Sequence, residues 1–184
     1  MASPRDADPA AATAPAALVR SIPDFPAAGI LFYDITPLLR DPAALSAAVS
    51  GLAAGVRPGS VDFVVAAEAR GFILGGALAR ELGAGFVPAR RPGKLPARTV
   101  SASYQLEYGD GALELHADAL CDGAAVLVHD DLLATGGTAA AICELVSGLG
   151  ARVVACAFLI ELAGLGGRAA LAPHPVQSLI SYPG

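Results

Sequence analysis

Val126-Leu127-Val128-His129-Asp130-Asp131-Leu132-Leu133-Ala134-Thr135-Gly136-Gly137-Thr138-Ala139 decides how this chain is read. It opens with a short apolar, β-branched run, the pattern of a buried strand. Two adjacent carboxylates close that strand. A loop of small residues then turns into an Ala-rich helix through Ile142, Leu145, Val146 and Leu149. The N–H groups at such a helix start, with the positive end of the helix dipole, form a socket for phosphate. Gly136 and Gly137 allow the backbone to curl close to an anion, and Thr135 and Thr138 add hydroxyl donors. Asp130 and Asp131 repel a phosphate, so their natural partner is a neutral diol that donates to acceptor-only carboxylates. A phosphate beside a diol is a ribose phosphate. A plain strand-to-helix turn with capping threonines would account for the glycines but not for the paired acids.

Rival phosphate loops are excluded. The chain has no G-x-x-x-x-G-K-[ST] and no G-x-G-x-x-G after a strand, which argues against a Walker-type nucleotidase and a dinucleotide fold. At 184 residues it fits one domain with a sizeable core. Hydrophobic residues make up 54 % and charged ones 16 %, a globular composition. The net charge of -5 argues against a general nucleic-acid surface. The three cysteines form no C-x-x-C pair, and two lie in apolar periodic segments, so reduced buried thiols are expected. No run approaches the length of a membrane helix, and the N-terminus lacks a continuous apolar stretch. A cytoplasmic location follows.

Elsewhere the chain alternates strands and helices. Residues 1–17 are Ala/Pro-rich and expected to be a flexible tail, leaving 18–184 as a single domain. Ile22 to Leu39 reads as a loop, with Pro23, Pro26 and Pro37 interrupting any helix. Asp41-Pro42 starts a helix that places Leu45, Val49 and Leu52 on one face. Val61–Ala67, Gly85–Ala89 and Val153–Ile160 read as strands, and Leu74, Leu78 and Leu82 mark a helix between the first two. Leu165 to Leu171 reads as a short helix and Val176 to Ser181 as an edge strand. Because the strands are apolar throughout, the expected fold is α/β: a doubly wound, mainly parallel sheet flanked by helices.

Two loops carry charge. Glu68-Ala69-Arg70-Gly71 lies at the carboxyl end of a strand, where ligands bind in such folds. Arg90-Arg91-Pro92-Gly93-Lys94 is the densest positive cluster in the chain, suited to a diphosphate leaving group. Residues 95–110 read as a long connection, the length of a lid that keeps water from a reactive sugar. His116 reads as a surface residue. His129 reads as a structural histidine, with a pKa that the adjacent Asp130 would raise.

Leu127 to Ala139 resembles the ribose-phosphate signature of the type I phosphoribosyltransferases. Further blocks are similar to the adenine-specific members of that family: Ile22-Pro23-Asp24-Phe25-Pro26, Gly29 to Leu39, Arg70-Gly71-Phe72, Gly93-Lys94-Leu95-Pro96 and Ala102 to Gly109. The resemblance implies transfer of 5-phosphoribosyl from its 1-diphosphate to adenine, giving AMP and pyrophosphate for purine salvage. It implies an N-terminal hood at about 22–39 and a flexible lid at about 91–110. Asp130, Asp131, Ala134, Thr135, Gly136, Gly137 and Thr138 would then hold the ribose and 5′-phosphate. Glu68, Ala69, Arg70, Arg90, Lys94 and Tyr108 would hold the diphosphate, and the Glu68-Ala69-Arg70-Gly71 loop carries a cis peptide in the family. Leu31, Phe32, Tyr33 and Leu162 would enclose the adenine. Glu107 is the implied general acid/base, with Arg70 and Lys94 as catalytic cations and Tyr104 aiding closure. Mg²⁺ is the implied cofactor, held mainly by substrate and water, and a homodimer is the implied assembly. Two alternatives stay open. One is a 6-oxopurine substrate, although Phe158–Ala163 supplies no lysine to meet an O6. The other is a regulator that senses the sugar diphosphate and binds nucleic acid.

Overall fold

A computed structural model of the chain describes residues 14–106 and 109–183. The first 13 residues of the expected tail, and the candidate site residues Glu107 and Tyr108, lie outside the described residues. The chain divides into two compact units, residues 1–48 and 49–184.

In the first unit a 3₁₀ turn over Pro15–Leu18 leads into β1 (Arg20–Ile22), which pairs antiparallel with β2 (Phe32–Asp34). Helix α1 (Thr36–Arg40) follows, so Ile22 to Leu39 is not one continuous loop. Pro37 sits in the first turn of α1, where a missing N–H costs nothing. Asp34 ties these pieces together. It accepts Arg20 Nε at 3.1 Å and Thr36 N–H at 2.9 Å, and hydrogen bonds from Arg20 and then Thr36 hold its carboxyl at about 2. Helix α2 (Pro42–Ala54) starts as expected, with Asp41 Oδ1 accepting the Ala44 N–H at 2.9 Å. Its buried side carries Ala44, Ala48, Val49 and Leu52, while Leu45 is half-buried.

The second unit is built from β3 (Phe63–Ala67), α3 (Gly71–Leu82), β4 (Gly85–Ala89), β5 (Thr99–Leu106), β6 (Gly109–His116), β7 (Ala125–Leu133), α4 (Gly137–Gly148), β8 (Arg152–Leu162), α5 (Gly167–Ala170) and β9 (Val176–Tyr182). Five parallel strands form the sheet in the order β4-β3-β7-β8-β9. From β3 the chain crosses outward to β4, and from β7 it crosses the other way to β8. The winding therefore reverses between β3 and β7, and the crevice at their carboxyl ends is the natural ligand position. The strand expected to end at the acid pair runs on through Leu133.

The expected long connection over 95–110 is instead mostly an antiparallel hairpin, with Val100 opposite Leu115 and Tyr104 opposite Gly111. Ala102, Leu113 and Leu115 face inward and Ser101 and Ser103 outward. They join Val65, Val126, Val128 and Phe158 of the sheet and Ile142, Leu145 and Val146 of α4 in one core. Each large aliphatic side chain buried this way contributes about 1.5–3 kcal/mol. Cys143 and Cys156 are buried free thiols with Sγ atoms 3.8 Å apart, whereas Cys121 is exposed, against the expectation of buried thiols. No helix among the described residues is long and apolar enough to cross a membrane.

Candidate active site

At the reversal point lies a pocket of about 300 Å³. Glu68, Ala69 and Arg70 enter from the β3–α3 turn, Asp130 and Asp131 from β7, and Thr138 from α4. Arg91, Tyr104 and Leu113 complete the wall from β4's exit and the hairpin. Two sequence-distant charged stretches thus meet because β3 and β7 are register neighbours, Ala66 beside His129.

The acid pair is incompletely neutralised. Asp131 Oδ2 lies 3.0 Å from Arg70 Nε, and the Asp131 N–H donates to Asp130 Oδ1 at 2.9 Å. Burial, then the neighbouring Asp131 charge, pushes the Asp130 carboxyl well above the usual range. Burial also raises Asp131, against the pull of Arg70. Both groups gain from any ligand that donates hydrogen bonds to them. Their position depends on Gly71, because a Cβ there would stand 2.8 Å from Asp130 Oδ1 and 3.3 Å from its Cα.

Glu68 is placed differently from a ligand to an anion. Its carboxylate binds Arg90 Nε at 2.9 Å and Arg91 Nε at 2.8 Å, and Arg90 Nη1 reaches the Lys94 carbonyl at 3.0 Å. Burial pushes this carboxyl up, but the bonds from Arg91 and Arg90 outweigh it and leave it at about 2. Glu68 therefore stays ionised and fixes the two guanidinium groups. The Glu68–Ala69 peptide is cis. Lys94 is exposed at the end of the same turn.

Beyond Leu133 the chain runs through Ala134 and Thr135 into Gly136, whose φ of 87° a side chain rarely adopts. Helix α4 begins at Gly137 without a side-chain cap. Its first-turn N–H groups have no intrahelical acceptors by geometry, so this end can receive an anion near the acid pair. Thr138 lines the pocket and Thr135 is exposed.

On β7, His129 points away from Asp130 and shares the face of Asp131, since consecutive strand residues face opposite ways. It is fully buried, and its Nδ1 is 2.9 Å from the Ala157 carbonyl. A carbonyl only accepts, so Nδ1 carries the proton. Nε2 has no hydrogen-bond partner among the described residues. Burial lowers this pKa to about 4 despite the backbone bond, which corrects the expected rise next to Asp130. His116 is half-buried in β6 rather than a surface residue.

The candidates for base binding are placed within their own units. In the first, Leu31 is 47 % exposed, and Phe32 and Tyr33 lie on β2, the Phe32 ring edge-on to Phe25 at 5.1 Å. In the second, half-buried Leu162 ends β8 opposite Tyr182. Reading the sequence missed Arg91 and Leu113 as pocket residues. Arg91 sits in the cationic cluster already singled out, and the alternation of Ala112 to His116 was the available signal for Leu113.

Residues 37–174 match the family model of the phosphoribosyl transferase domain. Over 159 residues the chain is 60 % identical to an adenine phosphoribosyltransferase of a Synechococcus strain, covering 86 % of this chain and 91 % of the relative. The crystal structure of adenine phosphoribosyltransferase from Thermoanaerobacter pseudethanolicus superposes with a TM-score of 0.89 at 48 % identity, covering 91 % of this chain and 98 % of that one. The Saccharomyces cerevisiae enzyme, complexed with an imino-altritol bisphosphate and adenine, gives a TM-score of 0.84 at 38 % identity, with 90 % and 96 % covered.

Proposed function

From the premise that the chain belongs to the adenine phosphoribosyltransferase family, we propose how its own residues transfer 5-phosphoribosyl from the 1-diphosphate to adenine. The observation that carries the reading is the juxtaposition of a helix N-terminus and an under-neutralised acid pair at the carboxyl end of the central strand β7.

The 5′-phosphate sits in the Ala134–Thr138 cradle on backbone N–H groups. The ribose hydroxyls donate to Asp130 and Asp131, adding donors to a carboxylate pair that Arg70 and a backbone N–H only partly compensate. In the transition state the bond from the anomeric carbon to the diphosphate breaks and positive charge develops on the sugar. The same pair then faces a partial cation and gains further, which is differential stabilisation of the transition state. The Glu68-Ala69-Arg70 turn receives the diphosphate, with Arg70, Arg90 and Lys94 neutralising it and Arg91 added to that set. Glu68 acts through the arginines it holds.

Leu31 and Tyr33 meet the base edge through their main chains and Phe32 stacks on it; stacking of this kind is worth about 1–3 kcal/mol. Glu107 shares the proton of the incoming base. The hood at about 22–39 and the lid at about 91–110, including Tyr104 and Tyr108, exclude water. Mg²⁺ fits this donor set. Hard carboxylate oxygens stand where the sugar and diphosphate would lie, and the ion characteristically keeps phosphate and water ligands. When bound it neutralises charge on the leaving group. We place the enzyme in the cytoplasm as a homodimer.

The test is AMP formation with each component omitted in turn, and with hypoxanthine and guanine in place of adenine. AMP should form only with adenine and the sugar diphosphate together. Faster turnover of a 6-oxopurine would overturn the base assignment. Tight binding of RNA or DNA with no AMP formed would overturn the enzymatic one.

A further inference from the structure

The phosphate cradle is shaped from beneath. Helix α5 is only four residues long, and its backbone lies directly against the loop. A Cβ on Gly136 would stand 2.8 Å from the Gly167 carbonyl and 3.0 Å from Ala170 Cβ. In the other direction, a Cβ on Gly167 would meet the Ala134 carbonyl, with Leu133 Cδ1 2.7 Å away. The two backbones touch without side chains between them, so a displacement of α5 is passed straight to Ala134–Gly136.

One side chain fastens this short helix to the sheet. Arg168 donates through Nε to Glu161 Oε1 and through Nη2 to Glu161 Oε2, both at 2.6 Å. Its Nη1 reaches the Val176 carbonyl at 2.7 Å, and Nη2 reaches Ser178 Oγ at 3.0 Å. Ser178 Oγ in turn donates to Glu161 Oε2 at 2.5 Å. Glu161 is 7 % exposed at the end of β8, and Val176 and Ser178 belong to β9. The guanidinium fork is thus tied to two strands at once, an arrangement that a point charge cannot reproduce.

We propose that Arg168 is a positioning residue for the 5′-phosphate: clasped by Glu161 and Ser178, it holds α5 under the cradle and sets how closely the cradle grips its anion. The inference rests on the proposed reading of Ala134–Thr138 as the phosphate site. Arg168 touches no substrate and acts only through α5.

Steady-state kinetics of Arg168→Gln and Arg168→Lys test this. In Arg168→Gln the KM for the sugar diphosphate should rise about tenfold, the size of effect that a small misplacement of a binding group produces. The inhibition constants of AMP and ribose 5-phosphate should rise in step, while kcat, the KM for adenine and inhibition by pyrophosphate stay within about twofold, because they do not depend on the cradle's grip. Arg168→Lys should fall between the two. A lower melting temperature with every one of these constants unchanged would make the clasp merely structural and overturn the proposal. Equal weakening of pyrophosphate would also overturn it. If Arg168→Gln does not fold, Ser178→Ala, which leaves the ion pair in place, must shift the same constants in the same direction or the proposal fails. Wild-type protein that forms no AMP would instead sink the parent reading.

Discussion

Two neighbouring strands carry acids beside an arginine near their carboxyl ends, and the two places are treated in opposite ways. At the end of β8, Glu161 receives both prongs of Arg168 and the Ser178 hydroxyl, and the Arg168 bond in particular lowers its pKa. Near the end of β7, Asp131 pairs with Arg70, Asp130 accepts the Asp131 N–H, and burial raises both. The satisfied cluster is a clasp. The under-neutralised one is the proposed site, because two carboxylates facing one guanidinium gain from a ligand that brings further donors.

The largest expected effect breaks the unsatisfied end. Asp130→Asn combined with Asp131→Asn should lose at least about a hundredfold in kcat/KM, roughly 3 kcal/mol of transition-state stabilisation. Near-wild-type turnover would remove the diol assignment. Next comes Gly71→Ala, whose Cβ must displace Asp130 from 2.8 Å. Overpacking of this kind costs about 1–3 kcal/mol, and here it should appear as lower kcat/KM together with a lower melting temperature.

A smaller effect sharpens the contrast through stability alone. A carboxyl whose folded pKa lies above its unfolded value supports folding below that unfolded value and opposes it once ionised. At neutral pH, Asp130→Asn should therefore stabilise the fold by about 1 kcal/mol while losing activity. Glu161 has a lowered pKa, so Glu161→Gln should destabilise by about 1 kcal/mol, the pair being half-exposed on the Arg168 side. Thermal melts of the two variants should move in opposite directions; shifts of the same sign would contradict the contrast.

Much of this frame was legible in the residues. The apolar run before Asp130 and the glycines after Thr135 give strand, loop and helix by period and flexibility alone, and Asp41-Pro42 announces α2. The hairpin was hidden because Ser101, Ala102 and Ser103 are small and weakly β-forming, so their alternation looked like loop. Pro37 was misleading because proline is tolerated in a first helical turn as readily as it breaks an interior one. The Glu161–Arg168 clasp carries no local signature at all. It exists only once β8 and β9 are paired and α5 folds back beside them. The cationic cluster was visible, but Glu68's role in splaying Arg90 and Arg91 needed the adjacency of β3 and β4.

His129 provides the smallest test, one residue before the acid pair and on the face opposite Asp130. Its folded pKa of about 4 lies below the 6.5 of an ordinary histidine, so its contribution is present above 6.5 and is lost as pH falls toward 4. Between about pH 7 and about pH 6 the fold should lose on the order of 1 kcal/mol or less from this group. Denaturant titrations of His129→Leu, which takes up no proton, should lack that component of the slope. An unchanged slope would mean that the imidazole is not held neutral.

A crystal soaked with AMP tests the central claim most directly. The nucleotide's phosphate should lie within hydrogen-bond distance of the backbone N–H groups of Thr135 to Thr138, with both ribose hydroxyls on Asp130 and Asp131. A phosphate bound at the Arg90–Lys94 turn instead, or hydroxyls turned away from the acid pair, would contradict it.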